Sequence, residues 1–322
     1  MKNKRFKKVL RVAALVLTAL VLVSLVIAIV LKISDKNGDR PYAQLHNGDF
    51  GIYAMNYSEQ LIDISISSPQ GFLYDVSNDT IIYSKGHEHV VYPGSTTKLL
   101  TALFALEILP PYATVVPGDE LELVKDGSSI AYIKSHHVLT VETLVQGMLI
   151  PSGNDAAYVL AAAAGKQISS DESISGKEAV DLFMTELREY ASEIGLCGTS
   201  FTVPDGFDGA EHYTTTEDMI IISYLAYQNE TIRKYAAMPK ASVTYESGHT
   251  NEWINTNKLI DEESKFYSRY VTGLKTGTVD GECSLVFAFK FDDGREYIAG
   301  VFGSSDKNAR FRDALNIIEK LK

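Results

Sequence analysis

Three short groups of residues could do chemistry together: Ser95-Thr96-Thr97-Lys98, then Ser152-Gly153-Asn154, then Lys275-Thr276-Gly277. They supply a hydroxyl nucleophile, amines that can act as a base, a polar relay and a binding edge. That is the equipment of acyl transfer through a covalent intermediate. Singly they carry little weight. A Ser-x-x-Lys match arises by chance roughly once in a chain of this length, and a second one, Ser304 to Lys307, is present. Lys-Thr-Gly is scarcer, at roughly one chain in ten. Order and local context decide.

Tyr92-Pro93-Gly94 is turn chemistry, and the spacing predicts a helix from Ser95 to Leu109, stopped by Pro110-Pro111. Its apolar residues (Leu99, Leu100, Ala102, Leu103, Ala105, Leu106, Ile108) occupy most of the circumference, so the helix is expected to be buried on nearly all sides. Ser95 and Lys98 fall one turn apart on one face, where hydroxyl and amine can meet. The first helical turn also has free backbone N–H groups that favour a developing oxyanion. Lysine becomes a base near neutrality only if its pKa falls from about 10.4 toward 7, a change of roughly 4 kcal/mol. Burial works in that direction, and so does a second cation, which Lys275 could supply.

Leu139-Thr140 opens a helical pattern through Val141, Leu144, Val145, Met148 and Leu149, with Thr140 as N-cap. Pro151-Ser152-Gly153-Asn154 interrupts it, and an Ala-rich helix from Asp155 to Ala164 follows. Ser152 and Asn154 therefore belong to a tight turn between helices, where short polar side chains can enter a cleft. Tyr270 to Thr278 reads as a strand that carries Lys275, Thr276 and Gly277. Ser284 to Lys290 and Tyr297 to Phe302 read as two more, joined through Asp292-Asp293-Gly294. Gly273 and Gly277 within a strand mark close approach of another backbone, such as an extended peptide laid along a sheet edge.

With these motifs placed, the chain resembles the serine-type D-alanyl-D-alanine carboxypeptidases, low-molecular-mass penicillin-binding proteins of peptidase family S11. Tyr92 to Leu103, Leu139 to Ala157, His212-Tyr213-Thr214-Thr215, Asn255-Thr256-Asn257 and Gly273 to Thr278 carry the likeness, which runs from about Ser67 to the C-terminus. The resemblance implies Ser95 as the acylated nucleophile, Lys98 as its general base, and Ser152 as a relay to the departing D-alanine. It implies that Asn154 holds the substrate amide, Lys275 tunes the field and Thr276 binds the terminal carboxylate. The N–H groups of Ser95 and Thr278 would form the oxyanion hole. Gly277 lies in the substrate-binding strand, and Arg310 would also contact the carboxylate, with Arg312 two residues away able to serve instead. The implied substrates are peptidoglycan stem peptides ending in D-Ala-D-Ala, with β-lactams as inhibitors; no cofactor or metal is called for.

The same resemblance implies an α/β fold, a serine β-lactamase/D,D-peptidase-like sandwich with an antiparallel sheet of about five strands. Those are Gly71 to Val76, Ile81 to Ser84 and the three between Tyr270 and Phe302. A mainly helical region from Leu99 to about Gln228 would form the opposite wall of the cleft. Many relatives add a C-terminal β domain and an amphipathic tail, whereas this chain ends on Ile317-Ile318-Glu319-Lys320 in the expected last helix, so membrane attachment is expected elsewhere.

Val12 to Leu31 are twenty uncharged, mostly apolar residues, enough to span a bilayer. Six basic residues and no acid precede them, and no small-x-small cleavage site follows. The expectation is a basic cytoplasmic tail (1–11), an uncleaved signal anchor (12–32), a stalk (33–66) and an extracytoplasmic catalytic domain (67–322) at the cell membrane. The net charge is −11, so the residues after the basic tail carry −17, which argues against nucleic-acid partners. Cys197 and Cys283 are the only cysteines and are not read as a bridge.

Other readings use parts of the same evidence. A class A β-lactamase needs a Glu-x-x-Leu-Asn segment, and none lies between Asn154 and Lys275. A zinc peptidase would draw on His87-Glu88-His89 or His136-His137, neither of which has helical i, i+4 spacing. A D,D-endopeptidase acting on cross-links, or a penicillin-sensing ectodomain with little turnover, would keep all three motifs.

Overall fold

The computed structural model describes residues 56–322 apart from Glu88 and Asp208. The expected anchor at 12–32 lies outside the described residues, and among those no helix is long and apolar enough to cross a membrane.

In chain order the elements are β1 (Asn56–Tyr57), β2 (Gln70–Asp75), β3 (Thr80–Lys85), a 3-10 turn (Gly94–Thr97) and α1 (Lys98–Ile108). Next come β4 (Thr114–Val115), a second 3-10 turn (Asp119–Leu123), β5 (Leu139–Thr140), α2 (Val141–Leu149) and α3 (Asn154–Ser169). Then follow α4 (Gly176–Glu193), α5 (Thr216–Gln228), α6 (Glu230–Ala236), β6 (Lys240–Thr244) and β7 (Thr250–Ile254). The chain closes with β8 (Val271–Val279), β9 (Glu282–Lys290), β10 (Glu296–Ser304) and α7 (Ala309–Leu321).

The main sheet has six strands in the order β1-β3-β2-β10-β9-β8, not five. The five expected strands are present and mutually antiparallel. The sixth, β1, is a two-residue strand parallel to β3, too short to leave a periodic signal. It also corrects the expected stalk, because residues from Asn56 already belong to the sheet and Ile64 and Ile66 are buried in the core. Residues from Asn56 onward thus already belong to the folded unit.

Strands β2, β9 and β10 are buried along nearly their whole length, as strands covered on both faces must be. One face carries Leu73, Leu285, Phe287, Phe289, Tyr297 and Val301, which join Phe311, Ala314 and Ile317 of α7 in a single cluster. On the other face Tyr74 meets Tyr224 of α5 edge-on, at 5.6 Å between ring centroids. Asp313 of α7 accepts from the Ser67 and Ser68 amides, both at 2.8 Å, and so fastens the last helix to the start of the domain.

The helical wall follows the expected pattern, with two refinements. Thr140 caps α2, its hydroxyl accepting from Thr143 N–H at 3.1 Å, and a Ser175–Glu178 capping box starts α4. Beyond α6 and outside the expected helical region, a two-stranded hairpin of β6 and β7 appears that the sequence does not announce.

Candidate active site

The expected helix from Ser95 is in two parts. Thr96 N–H and Thr96 Oγ1 both return to the Pro93 carbonyl, at 3.2 and 2.8 Å, which tightens Gly94–Thr97 into a 3-10 turn before α1 begins at Lys98. The fully buried Lys98 side chain crosses back toward Ser95, and its Nζ donates to Ser95 Oγ at 2.8 Å. It also donates to Asn154 Oδ1 at 2.7 Å and to the Asp205 carbonyl at 2.9 Å. Motifs one and two are therefore directly bonded.

Burial pulls the Lys98 ammonium down to about 8, against the opposing pull of Asp205 and Asp155. Lys275 also lies well below the ordinary lysine range, through burial first and then repulsion from Lys98 and Arg310. The sequence reading assigned Lys275 to lower Lys98. In the fold, desolvation lowers Lys98, and the repulsion between the cations bears on Lys275.

Three contacts use all three N–H bonds of an ammonium. After loss of one proton, Asn154 Oδ1 and the Asp205 carbonyl can keep the two that remain, because neither can itself donate. The lone pair then points at Ser95 Oγ. Asp205 was missed from the sequence. The only signal was a Pro204-Asp205-Gly206 turn, which α1 anchors through Thr101 Oγ1 donating to Pro204 O at 2.7 Å.

Ser152 is buried, with φ of +66, a left-handed backbone unusual for a residue other than glycine. The turn it occupies is locked by Gly153 N–H donating to Gly147 O at 2.9 Å. Asn154 opens α3, and its Nδ2 donates to Ser128 Oγ at 2.9 Å. Its amide is thus engaged at both ends, so in this geometry Asn154 orients Lys98. Ser128 is a second residue that the motifs did not reveal.

Strand β8 forms the sheet edge and carries Lys275, Thr276, Gly277 and Thr278. Lys275 and Thr276 are buried and Thr278 is exposed. Thr276 Oγ1 meets Thr256 Oγ1 at 2.6 Å, which brings the Asn255-Thr256-Asn257 segment to the site. The close approach read from Gly277 is real, but the backbone that approaches is the chain's own. A Cβ on Gly277 would stand 2.2 Å from the Pro93 carbonyl oxygen. Gly94, at φ +52, rests in turn against the Thr278 backbone, so the amides of Ser95 and Thr278 flank a single contact.

Gly277→Ala should therefore push β8 off the nucleophile turn. The expected cost is about 1–3 kcal/mol, read as a lower thermal unfolding midpoint together with lost labelling by a fluorescent penicillin. An unchanged midpoint with full labelling would show that strand and turn do not hold one another.

Arg310 and Arg312 separate cleanly. Arg312 is on the surface, 2.6 Å from Asp306. Arg310 is buried and donates to the Gly277 carbonyl at 2.6 Å and the Ser284 carbonyl at 3.1 Å, holding β8 to β9. The second Ser-x-x-Lys match forms no such site: Ser304 Oγ sits 2.5 Å from Ser68 Oγ. His136 and His137 make an edge-on ring contact, and His137 stacks on His249. Among the described residues no group of three or more His, Cys, Asp or Glu side chains is arranged to hold a metal. Cys197 is exposed and Cys283 buried, both as free thiols.

A serine hydroxyl bonded to a buried lysine amine, beside a sheet edge that carries a second buried lysine, is an arrangement acyl transfer could use, and the fold is of the penicillin-binding protein and β-lactamase class. Residues 55–306 match the family model of the D-alanyl-D-alanine carboxypeptidases, Peptidase S11, and the chain belongs to that family. A D-alanyl-D-alanine carboxypeptidase of Streptomyces sp. strain K15 is 30% identical over 267 residues, which cover 79% of this chain and 87% of that one. D-alanyl-D-alanine carboxypeptidase DacF of Bacillus subtilis is 28% identical, and the match covers 80% of this chain and 63% of the relative's length. The crystal structure of the Streptomyces K15 DD-transpeptidase superposes with a TM-score of 0.71 at 27% identity, covering 81% of this chain and 98% of that one.

Proposed function

We propose that the chain is a serine D,D-carboxypeptidase that removes the terminal D-alanine from peptidoglycan stem peptides through an acyl-enzyme on Ser95. The observation that carries this reading is the buried Lys98 amine 2.8 Å from Ser95 Oγ. Neutral Lys98 takes the hydroxyl proton as Ser95 Oγ attacks the carbonyl carbon of the penultimate D-alanine. The oxyanion forms between the N–H groups of Ser95 and Thr278, where each donor contributes about 3 kcal/mol. Lys275, Thr276 and Arg310 form the end of the cleft that receives the terminal carboxylate, and the cations there favour that anion. Ser152 passes the proton to the departing D-alanine amine, and water then hydrolyses the ester. A β-lactam enters the same path and acylates Ser95.

The apolar segment from Val12 to Leu31 supports a signal anchor that holds the domain outside the membrane, with the basic tail in the cytoplasm.

The test is free D-alanine released from a pentapeptide stem ending in D-Ala-D-Ala. Release by the unaltered chain is expected. No release, with Ser95 still labelled by penicillin, would overturn the carboxypeptidase reading and favour cross-linked muropeptide as substrate.

A further inference from the structure

Ser128–Ile133 is tied at two points to Asn154 of the second motif and at two more to Asp155, the residue that follows it. Ser128 Oγ accepts from Asn154 Nδ2 at 2.9 Å, and the Ser129 carbonyl accepts from Asn154 N–H at 2.8 Å. Ala131 N–H and Ile133 N–H donate to the two oxygens of Asp155, at 2.8 and 2.9 Å. Ala131 and Ile133 are buried, while Tyr132 between them is 63% exposed. Its φ is +62.

A bulky aromatic residue in the left-handed region is a backbone outlier. Such conformations persist where the surroundings over-determine them, and they cluster at functional sites. Here one carboxylate grips the amides on both sides of Tyr132 and fixes the kink. The backbone before the kink is pinned as well, the Ala131 carbonyl accepting from Trp253 Nε1 at 3.1 Å and Asn251 Nδ2 at 3.0 Å. The Tyr132 side chain itself, however, lies mostly in solvent, and Ile130 two residues earlier is also exposed. The carboxylate that imposes the kink belongs to the residue after Asn154. An exposed aromatic ring is thus carried on a rigid mount, in the segment that bonds Asn154.

Substrate direction says what meets it. On β8 the carboxylate end lies at Thr276 and the oxyanion donor at Thr278, so D-alanine leaves on the Thr276 side. The acyl part of the stem extends the other way, past Thr278 and Asn154. We infer that Tyr132 is a specificity-determining residue that packs its ring against the part of the stem peptide preceding the D-Ala-D-Ala pair. The inference rests on the carboxypeptidase reading above.

The experiment compares Tyr132→Asn and Tyr132→Phe on two substrates. One is the pentapeptide stem, and the other is 6-aminopenicillanic acid, a β-lactam with no acyl side chain to reach the ring. Asparagine tolerates the left-handed backbone, so its thermal midpoint should equal or exceed that of the unaltered chain. Tyr132→Asn should lower kcat/KM for the pentapeptide about tenfold, the loss of one aromatic contact, and change acylation by 6-aminopenicillanic acid by less than about twofold. Tyr132→Phe should retain pentapeptide turnover. Equal losses on both substrates, or no loss on the pentapeptide, would overturn the inference while leaving the carboxypeptidase reading in place. Failure of the unaltered chain to release D-alanine would overturn both.

Discussion

Replacing Ser95 with alanine should abolish D-alanine release and penicillin labelling together, with little change in thermal stability. The Oγ atom is the only group in the first motif placed to form an ester, and its bond to Lys98 is the one contact the substitution removes. Losing the nucleophile of a covalent mechanism costs on the order of 10⁴-fold or more, since the remaining site can only orient substrate for attack by water. Intact mass spectrometry after exposure to benzylpenicillin reads the result directly. A stable adduct on the Ser95→Ala chain would move the nucleophile elsewhere and dismantle the proposed site.

Lys98→Ala should slow acylation by about 10²–10⁴-fold, the usual contribution of a positioned general base. The pH profile identifies the cause. With the Lys98 ammonium at about 8, the base is increasingly protonated below that pH. Acylation by a β-lactam should therefore climb through neutrality and level off above about 8, and the Lys98→Ala chain should lose that rise. A rise that survived the substitution would assign the base to another group. The same shift bears on stability. Between about 8 and the ordinary lysine range the unfolded chain binds more protons at this position than the folded one, so folding gains with increasing pH across that window.

Much of the site was legible because its motifs are local. Ser95 and Lys98 are one turn apart, Ser152 and Asn154 share a single turn, and Lys275 to Thr278 lie on one strand. What could not be read is where contact depends on tertiary packing. The Asp205 carbonyl and Ser128 Oγ complete the polarisation of Lys98 and Asn154 from loops with no chemical signature of their own. The lysine shift shows the same limit: a second cation was foreseeable from residue types, but how far each amine is desolvated depends on the finished cleft. Long apolar strands such as β9 were clear, while β1 and the β6–β7 hairpin carry too few buried residues to stand out.

The central pairing of the sheet joins β2 to β10, Gln70 lying opposite Phe302. Just beyond it, Ser68 Oγ meets Ser304 Oγ across 236 positions, and Asp313 clasps the Ser67 and Ser68 amides. A chain emerging N-terminus first can therefore form β2 and β3 as a hairpin but cannot cover either the hairpin's edge or its apolar face. That must wait until β10 and α7 have been made. Loop closure on this scale is slow, and a hydrophobic strand edge stays open meanwhile, prone to pairing with other chains. The acyl-transfer site inherits this timing, because β8 joins the sheet through β9, which in turn pairs with β10. Penicillin labelling of Ser95 would thus report that synthesis has passed β10 and α7, and a truncation that removes α7 should leave an unreactive serine however well α1 forms.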